Sequence, residues 1–149
     1  MNKDWPRWIW ASLTTYFTSK LNPLFIEGFD RNTNAESDFY ELRINGPVFH
    51  ELTKDQWLIT IDVNVLVTST KDQNDAYKVH RLVGVAAEAF IKAIAVMRYG
   101  DDPDEQIGCF ALSDDGIIIT NFGQIDVDVN VLQSTIEATY SMELNNGTN

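Results

Sequence analysis

From Trp57 to Val67 every odd position is apolar (Trp57, Ile59, Ile61, Val63, Val65, Val67), with Thr60, Asp62 and Asn64 between them. Successive side chains on a strand point to opposite faces, so this pattern demands an extended segment with one dry face and one polar face. A second stretch repeats the rule. Ile125, Val127, Val129 and Val131 alternate with Asp126, Asp128 and Asn130. Beyond them Leu132, Ile136, Ala138, Tyr140, Met142 and Leu144 alternate with Gln133, Thr135, Glu137, Thr139 and Glu143. One-sided strands of this kind need a cover, and the usual cover is a helix packed on the dry face.

Two segments have the helical period. The first runs from about Trp5 to Leu21, with Asp4 as its N-cap, Pro6 harmless in the first turn and Asn22-Pro23 ending it. The second runs from about Asp72 to Lys92, with Val79, Leu82, Val83, Ala86, Phe90 and Ile94 on one face and Arg81, Glu88 and Lys92 opposite. Gly84 and Ala87 lie at the margin of that face, where small residues allow close approach to a sheet. Shorter strands are expected at Pro23–Phe29, Phe39–Ile44, Ala95–Tyr99 and Ile107–Leu112, with a turn at Asn45-Gly46-Pro47. Ile117 to about Val131 and Leu132 to Leu144 form the C-terminal pair. The expected architecture is α+β over 1–149 as one domain, a mostly antiparallel sheet with both helices on one face. The tail Asn145–Asn149 is expected to fray.

Charge narrows the function classes. The chain carries 22 Asp and Glu against 11 Lys and Arg, a formal −11. No basic stripe exists to neutralise phosphates, so direct duplex binding is disfavoured. The longest apolar runs fall short of the roughly 18 residues that span a bilayer. Asp4 and Pro6 interrupt any signal-peptide core, and Cys109 is the only cysteine, which fits a reducing compartment.

Chemistry-bearing motifs are scarce. His50 and His80 sit in no metal or triad pattern, His80 at the margin of the second helix's apolar stripe and Cys109 in a strand where a buried thiol is expected. Asp30, Asn32, Asn34, Glu36, Asp38 and Glu41 have the spacing of a calcium loop. However, Ala35 stands where the sharp turn calls for glycine, and the flanks look extended, so a solvated loop is expected. Asp101, Asp102, Asp104 and Glu105 read as a solvated turn around Pro103. No cofactor, metal or enzymatic activity is expected. Asp126, Asp128, Glu137 and Glu143 form a candidate acidic face. It is either an ordinary solvent-facing sheet or the lining of a channel built from several copies.

The first helix carries more apolar surface than one core face uses. Trp5, Ile9, Leu13 and Tyr16 make one stripe, and Trp8, Trp10, Phe17 and Leu21 widen the arc to roughly 220° at 100° per residue. Aromatic residues outside a core stripe are enriched at interfaces, which makes Trp8, Trp10, Phe17 and Leu21 a candidate assembly surface.

Three segments together resemble a known family: Trp57–Thr68 (WLITIDVNVLVT), Tyr77–Phe90 (YKVHRLVGVAAEAF) and Phe122–Leu144 (FGQIDVDVNVLQSTIEATYSMEL). An N-terminal helix, long strands around one central helix and a C-terminal strand pair are similar to the tail terminator and neck proteins of tailed bacteriophages. The likeness lies in element order from about Trp57 onward and carries over no individual residue. It implies a virion protein assembled in the host bacterial cytoplasm as a homo-oligomeric ring, a hexamer favoured. Such a ring would contact neighbouring tail-tube or neck proteins and let DNA pass through an acidic lumen. Two rivals stand beside it: a small helix-on-sheet ligand-binding domain, and an acidic DNA-mimic inhibitor.

Overall fold

The computed structural model describes residues 3–27, 38–70, 77–99, 105–126 and 129–145. In chain order its elements are α1 (Trp5–Lys20), β1 (Leu24–Ile26), β2 (Phe39–Thr53), β3 (Gln56–Thr70), α2 (Lys78–Ile91), β4 (Ile94–Arg98), β5 (Glu105–Asp126) and β6 (Val129–Asn145). The strands make one curled six-stranded sheet in the order β1-β2-β3-β6-β5-β4. The class is α+β as expected, but the sheet is mixed. β1 runs parallel to β2, and the other pairings are antiparallel.

The strongest alternation lies at the centre. β3 pairs with β2 on one side and β6 on the other, so Ile59, Ile61, Val63, Val65 and Val67 are all buried on one face. Ile136, Ala138, Tyr140, Met142 and Leu144 continue that face on β6. Both helices lie on it. α2 presents Val79, Val83, Ala86, Ala89 and Phe90, and Phe90 meets Phe17 of α1 at 5.2 Å and stacks on Tyr140 at 6.2 Å. Tyr140 then donates its hydroxyl hydrogen bond to the Phe90 carbonyl at 2.7 Å.

α1 fills the trough of the curl and touches both flanks of the sheet. Toward β4, Trp8 Nε1 donates to the Tyr99 carbonyl at 3.3 Å, and the Ser12 hydroxyl accepts the Met97 N–H at 2.9 Å. Toward β2, Trp10 Nε1 donates to the Gly46 carbonyl at 3.0 Å. Asp4 occupies the N-cap position, yet its side chain makes no capping hydrogen bond and lies 3.9 Å from Arg7.

Several boundaries differ from expectation. β2 does not turn at Asn45-Gly46-Pro47. A bulge between Asn45 and Val48, with Gly46 at φ 106°, absorbs the two residues, and the strand runs on to Thr53. Pro47 costs no ladder bond because that side of β2 is an edge. The Ser113–Gly116 stretch is likewise a bulge within one long β5, with Gly116 at φ 75°. The last two strands divide earlier than Val131: β5 ends at Asp126, which pairs with Val129 of β6. Unbroken alternation through this reversal hides it from a periodicity reading. α2 begins at Lys78, and the expected start at 72–76 falls outside the described residues. Gly84 is exposed, and a Cβ built there meets nothing within 4 Å, so close approach to the sheet is made by Ala86 and Ala89. Among the described residues no helix is long and apolar enough to cross a membrane.

Candidate assembly surface

The curl decides the fate of the first helix's aromatic arc. Trp8 (3% exposed), Phe17 (0%) and Leu21 (1%) are buried within the chain's own core, so they do not form an assembly surface. A flat sheet would cover one face of α1. A curled sheet covers its flanks as well, and the wide apolar arc is what a helix lying in a trough requires. Only Trp10 is half-buried, and its indole is tied to the bulge of β2.

Large apolar side chains are instead exposed on α2, with Val85 50% and Ile91 65% exposed, at its N-cap Tyr77 (72%), and on the strands. Ile118, Ile119 and Phe122 on β5 are 54%, 47% and 56% exposed, and Val48 and Leu52 on β2 are each 49% exposed. Both sets lie where the sheet runs out of neighbours. β4 pairs with β5 only over Glu105–Phe110, and β1 pairs with β2 only over Tyr40–Leu42. Among the described residues, β5 beyond Phe110 and β2 beyond Leu42 each have a strand partner on one side alone. Such an edge presents rows of unpaired N–H and C=O groups, and proteins normally blunt it with charge, proline or a bulge. β2 carries Pro47 and two bulges. β5 carries Asp114, Asp115 and three register shifts, and between them only the short Ile117–Asn121 stretch is without charge, proline or bulge. Sequence reading missed this edge because Ile117-Ile118-Ile119 reads as ordinary strand interior when pairing partners are unknown.

The polar face of the sheet holds an open groove of about 580 Å³, lined by Asn45, Asp62, Asn64, Asp115, Ile118, Glu137 and Thr139 among others. Asp62 accepts the Thr139 hydroxyl at 2.7 Å, and Glu137 accepts Asn64 Nδ2 at 2.9 Å. The groove has three carboxylates and no cationic residue in its lining, so its field repels a polyanion. Of the sequence-predicted acidic face, Glu137 is in this groove and Glu143 is exposed further down β6, opposite Leu58. Asp126 belongs to the far end of the β5–β6 hairpin, about eight residues or roughly 26 Å along β6 from Glu137. Asp128 lies outside the described residues. Asp62 and Asp115 complete the face in their place. Asp62 stood in plain view as a polar position of the β3 alternation, and its pairing with Thr139, next to Glu137 on β6, is a matter of register.

The remaining chemical candidates stay apart. Among the described residues no three His, Cys, Asp or Glu side chains are grouped to hold a metal ion. Cys109 is exposed rather than buried, and His80 is exposed beside the Tyr77 ring at 5.8 Å. Residues 28–37 of the acidic loop and residues 101–104 of the acidic turn lie outside the described residues. Asp38 is bound internally: its carboxylate takes Lys78 Nζ at 2.7 Å, the Ser69 hydroxyl at 2.9 Å and the Thr70 N–H at 3.2 Å. No family model and no curated protein matches the chain.

Proposed function

We propose that the chain is a structural subunit that assembles into a closed homo-oligomeric ring, serving as a tail terminator or neck element at the head–tail junction of a tailed bacteriophage. The observation that carries this reading is the apolar free edge of β5, with Ile118, Ile119 and Phe122 about half exposed. A strand edge with exposed apolar side chains and unpaired ladder groups is an aggregation hazard unless another chain covers it. Identical subunits that cover it in a closing arrangement stop at a ring. The element order, with a helix ahead of long strands, one central helix and a C-terminal strand pair, supports placing that ring in a phage neck or tail. The acidic face fits a passage through which DNA slides without sticking. In this role the partners are further copies and the adjoining tail-tube or neck proteins.

Native mass spectrometry of the purified protein, followed by negative-stain imaging, tests the reading. The expected result is an integral multiple of the 16.9 kDa chain, seen as an annulus with a central hole. A monomer at concentrations of tens of micromolar, or an open filament, would count against it.

A further inference from the structure

The bulge in β2 holds the sequence Asn45-Gly46-Pro47, and both Asn45 and Gly46 are exposed. Asn45 is paired with Asp62 of β3 and Val48 with Thr60. Gly46 and Pro47 therefore stand together opposite Ile61, with no registered partner of their own. Asn45 also lines the open groove on the polar face.

An asparagine side chain carries an electrophilic carbon, Cγ, close to the backbone nitrogen of the next residue. Joining the two closes an imide ring. Three things ordinarily prevent it: a Cβ on the next residue crowds the nitrogen, a continuous ladder holds the backbone out of the attacking geometry, and burial excludes water. At Asn45 all three are missing. Gly46 has no Cβ and turns freely, the bulge interrupts the ladder, and the site is open to solvent. Asn64, in the same groove, is the contrast. The β-branched Val65 follows it, it sits in regular register between Arg43 and Glu137, and its Nδ2 donates to Glu137 at 2.9 Å.

We propose that Asn45 is a modification site, at which the chain deamidates itself. The Gly46 nitrogen gives its proton to hydroxide and attacks Asn45 Cγ. As that C–N bond forms, the Cγ–Nδ2 bond breaks and ammonia leaves, taking a proton from water. The succinimide then adds one water. Opening at Cγ leaves aspartate, and opening at the Asn45 main-chain carbonyl carbon leaves isoaspartate, with the backbone rerouted through Cβ. Water enters, ammonia departs, and nothing is oxidised or reduced.

Either product puts a fourth carboxylate beside Asp62, Asp115 and Glu137, and adds one negative charge to a chain of formal −11. Isoaspartate also lengthens the main chain just ahead of the Gly46 carbonyl, the acceptor that holds Trp10 Nε1 at 3.0 Å. The change therefore reaches from the groove to α1. It needs a single chain only, so it stands apart from the ring reading.

Incubation of the full chain in native buffer at mildly alkaline pH, followed by tryptic mapping against a time-zero digest, tests the proposal. Cleavage after Arg43 and Lys54 frees Ile44–Lys54, in which Asn45 is the sole asparagine. With time that peptide should gain the mass of an amide exchanged for an acid and split into two chromatographic species, aspartate and the more abundant isoaspartate. Asp55–Lys71, which contains Asn64, should keep its mass. Asn45→Gln should abolish the conversion, because the longer side chain closes its ring far more slowly. An Asn45 that keeps its amide, whether or not Asn146-Gly147 converts in the same sample, overturns the proposal. So does conversion confined to urea, which would mean that the bulge protects the site. Aspartate without isoaspartate would also overturn it, since direct hydrolysis needs no ring.

Discussion

At Asp38 one carboxylate ties three elements together: the entry to β2, the end of β3 through Ser69 and Thr70, and the first residue of α2 through Lys78. Partial burial pushes its pKa up. The hydrogen bonds from Lys78, Ser69 and the Thr70 N–H, with the charge of Lys78, outweigh that and hold it below the ordinary value. A carboxylate depressed on folding contributes stability that is present above its unfolded pKa, near 3.9, and is lost as pH falls through the folded value. Asp38→Asn should therefore lower stability at neutral pH by about 1–2 kcal/mol, a few degrees in Tm. The two melting curves should converge in acid below the folded pKa. Equal melting temperatures at pH 7 would show that the cluster contributes nothing. In the sequence Asp38 reads as one of several polar loop positions. Its partners lie 31 to 40 residues away, so local pattern cannot reveal them. The same distance problem misassigns Trp8: its exposure depends on Tyr99 and on Arg98, whose guanidinium lies 5.3 Å from the ring. Phe17→Ala removes a ring wholly inside the core and should cost about 3–5 kcal/mol, read as a large drop in the denaturation midpoint.

The elements themselves were legible because each has a strong period. β3 and α2 fall close to where alternation and the helical stripe place them, and α1 ends where Asn22-Pro23 requires. What alternation cannot show is where a strand pauses without ending. The bulges at Asn45–Val48 and Leu112–Ile117 carry the same glycine and polar residues as a turn, and only cross-strand pairing tells them apart. The edge strands follow the same logic: β1 and β4 are short, so they leave most of β2 and β5 free, and shortness of one strand is invisible in the sequence of its neighbour. In α2 the exposed Gly84 lowers helix stability with no packing gain. Gly84→Ala should raise stability by about 0.5–1 kcal/mol, and a calorimetric scan showing no increase would overturn that expectation.

For the whole molecule, net charge opposes association. Eleven negative charges per copy repel one another across any interface, and salt shortens that repulsion to about 10 Å at 0.1 M. Raising ionic strength from low to physiological should move ring formation to lower protein concentration, as followed by sedimentation velocity. Assembly that weakens with salt would overturn the view that net charge opposes it. Overall class and acidic character were legible from composition and period. The free strand edges were not, because they are defined by what the sheet lacks.

The seating of α1 also sets an order of events in time. Its covering partners on the far flank, Met97 and Tyr99, are 85 and 91 residues downstream. At roughly 5–20 residues per second of synthesis, the helix made first waits on the order of 5–20 s for the strand that encloses it. During that interval three tryptophans and a phenylalanine in one short segment have no completed trough to enter. In the nascent chain they form an adhesive, chaperone-accessible segment, and the fold closes over its oldest part last.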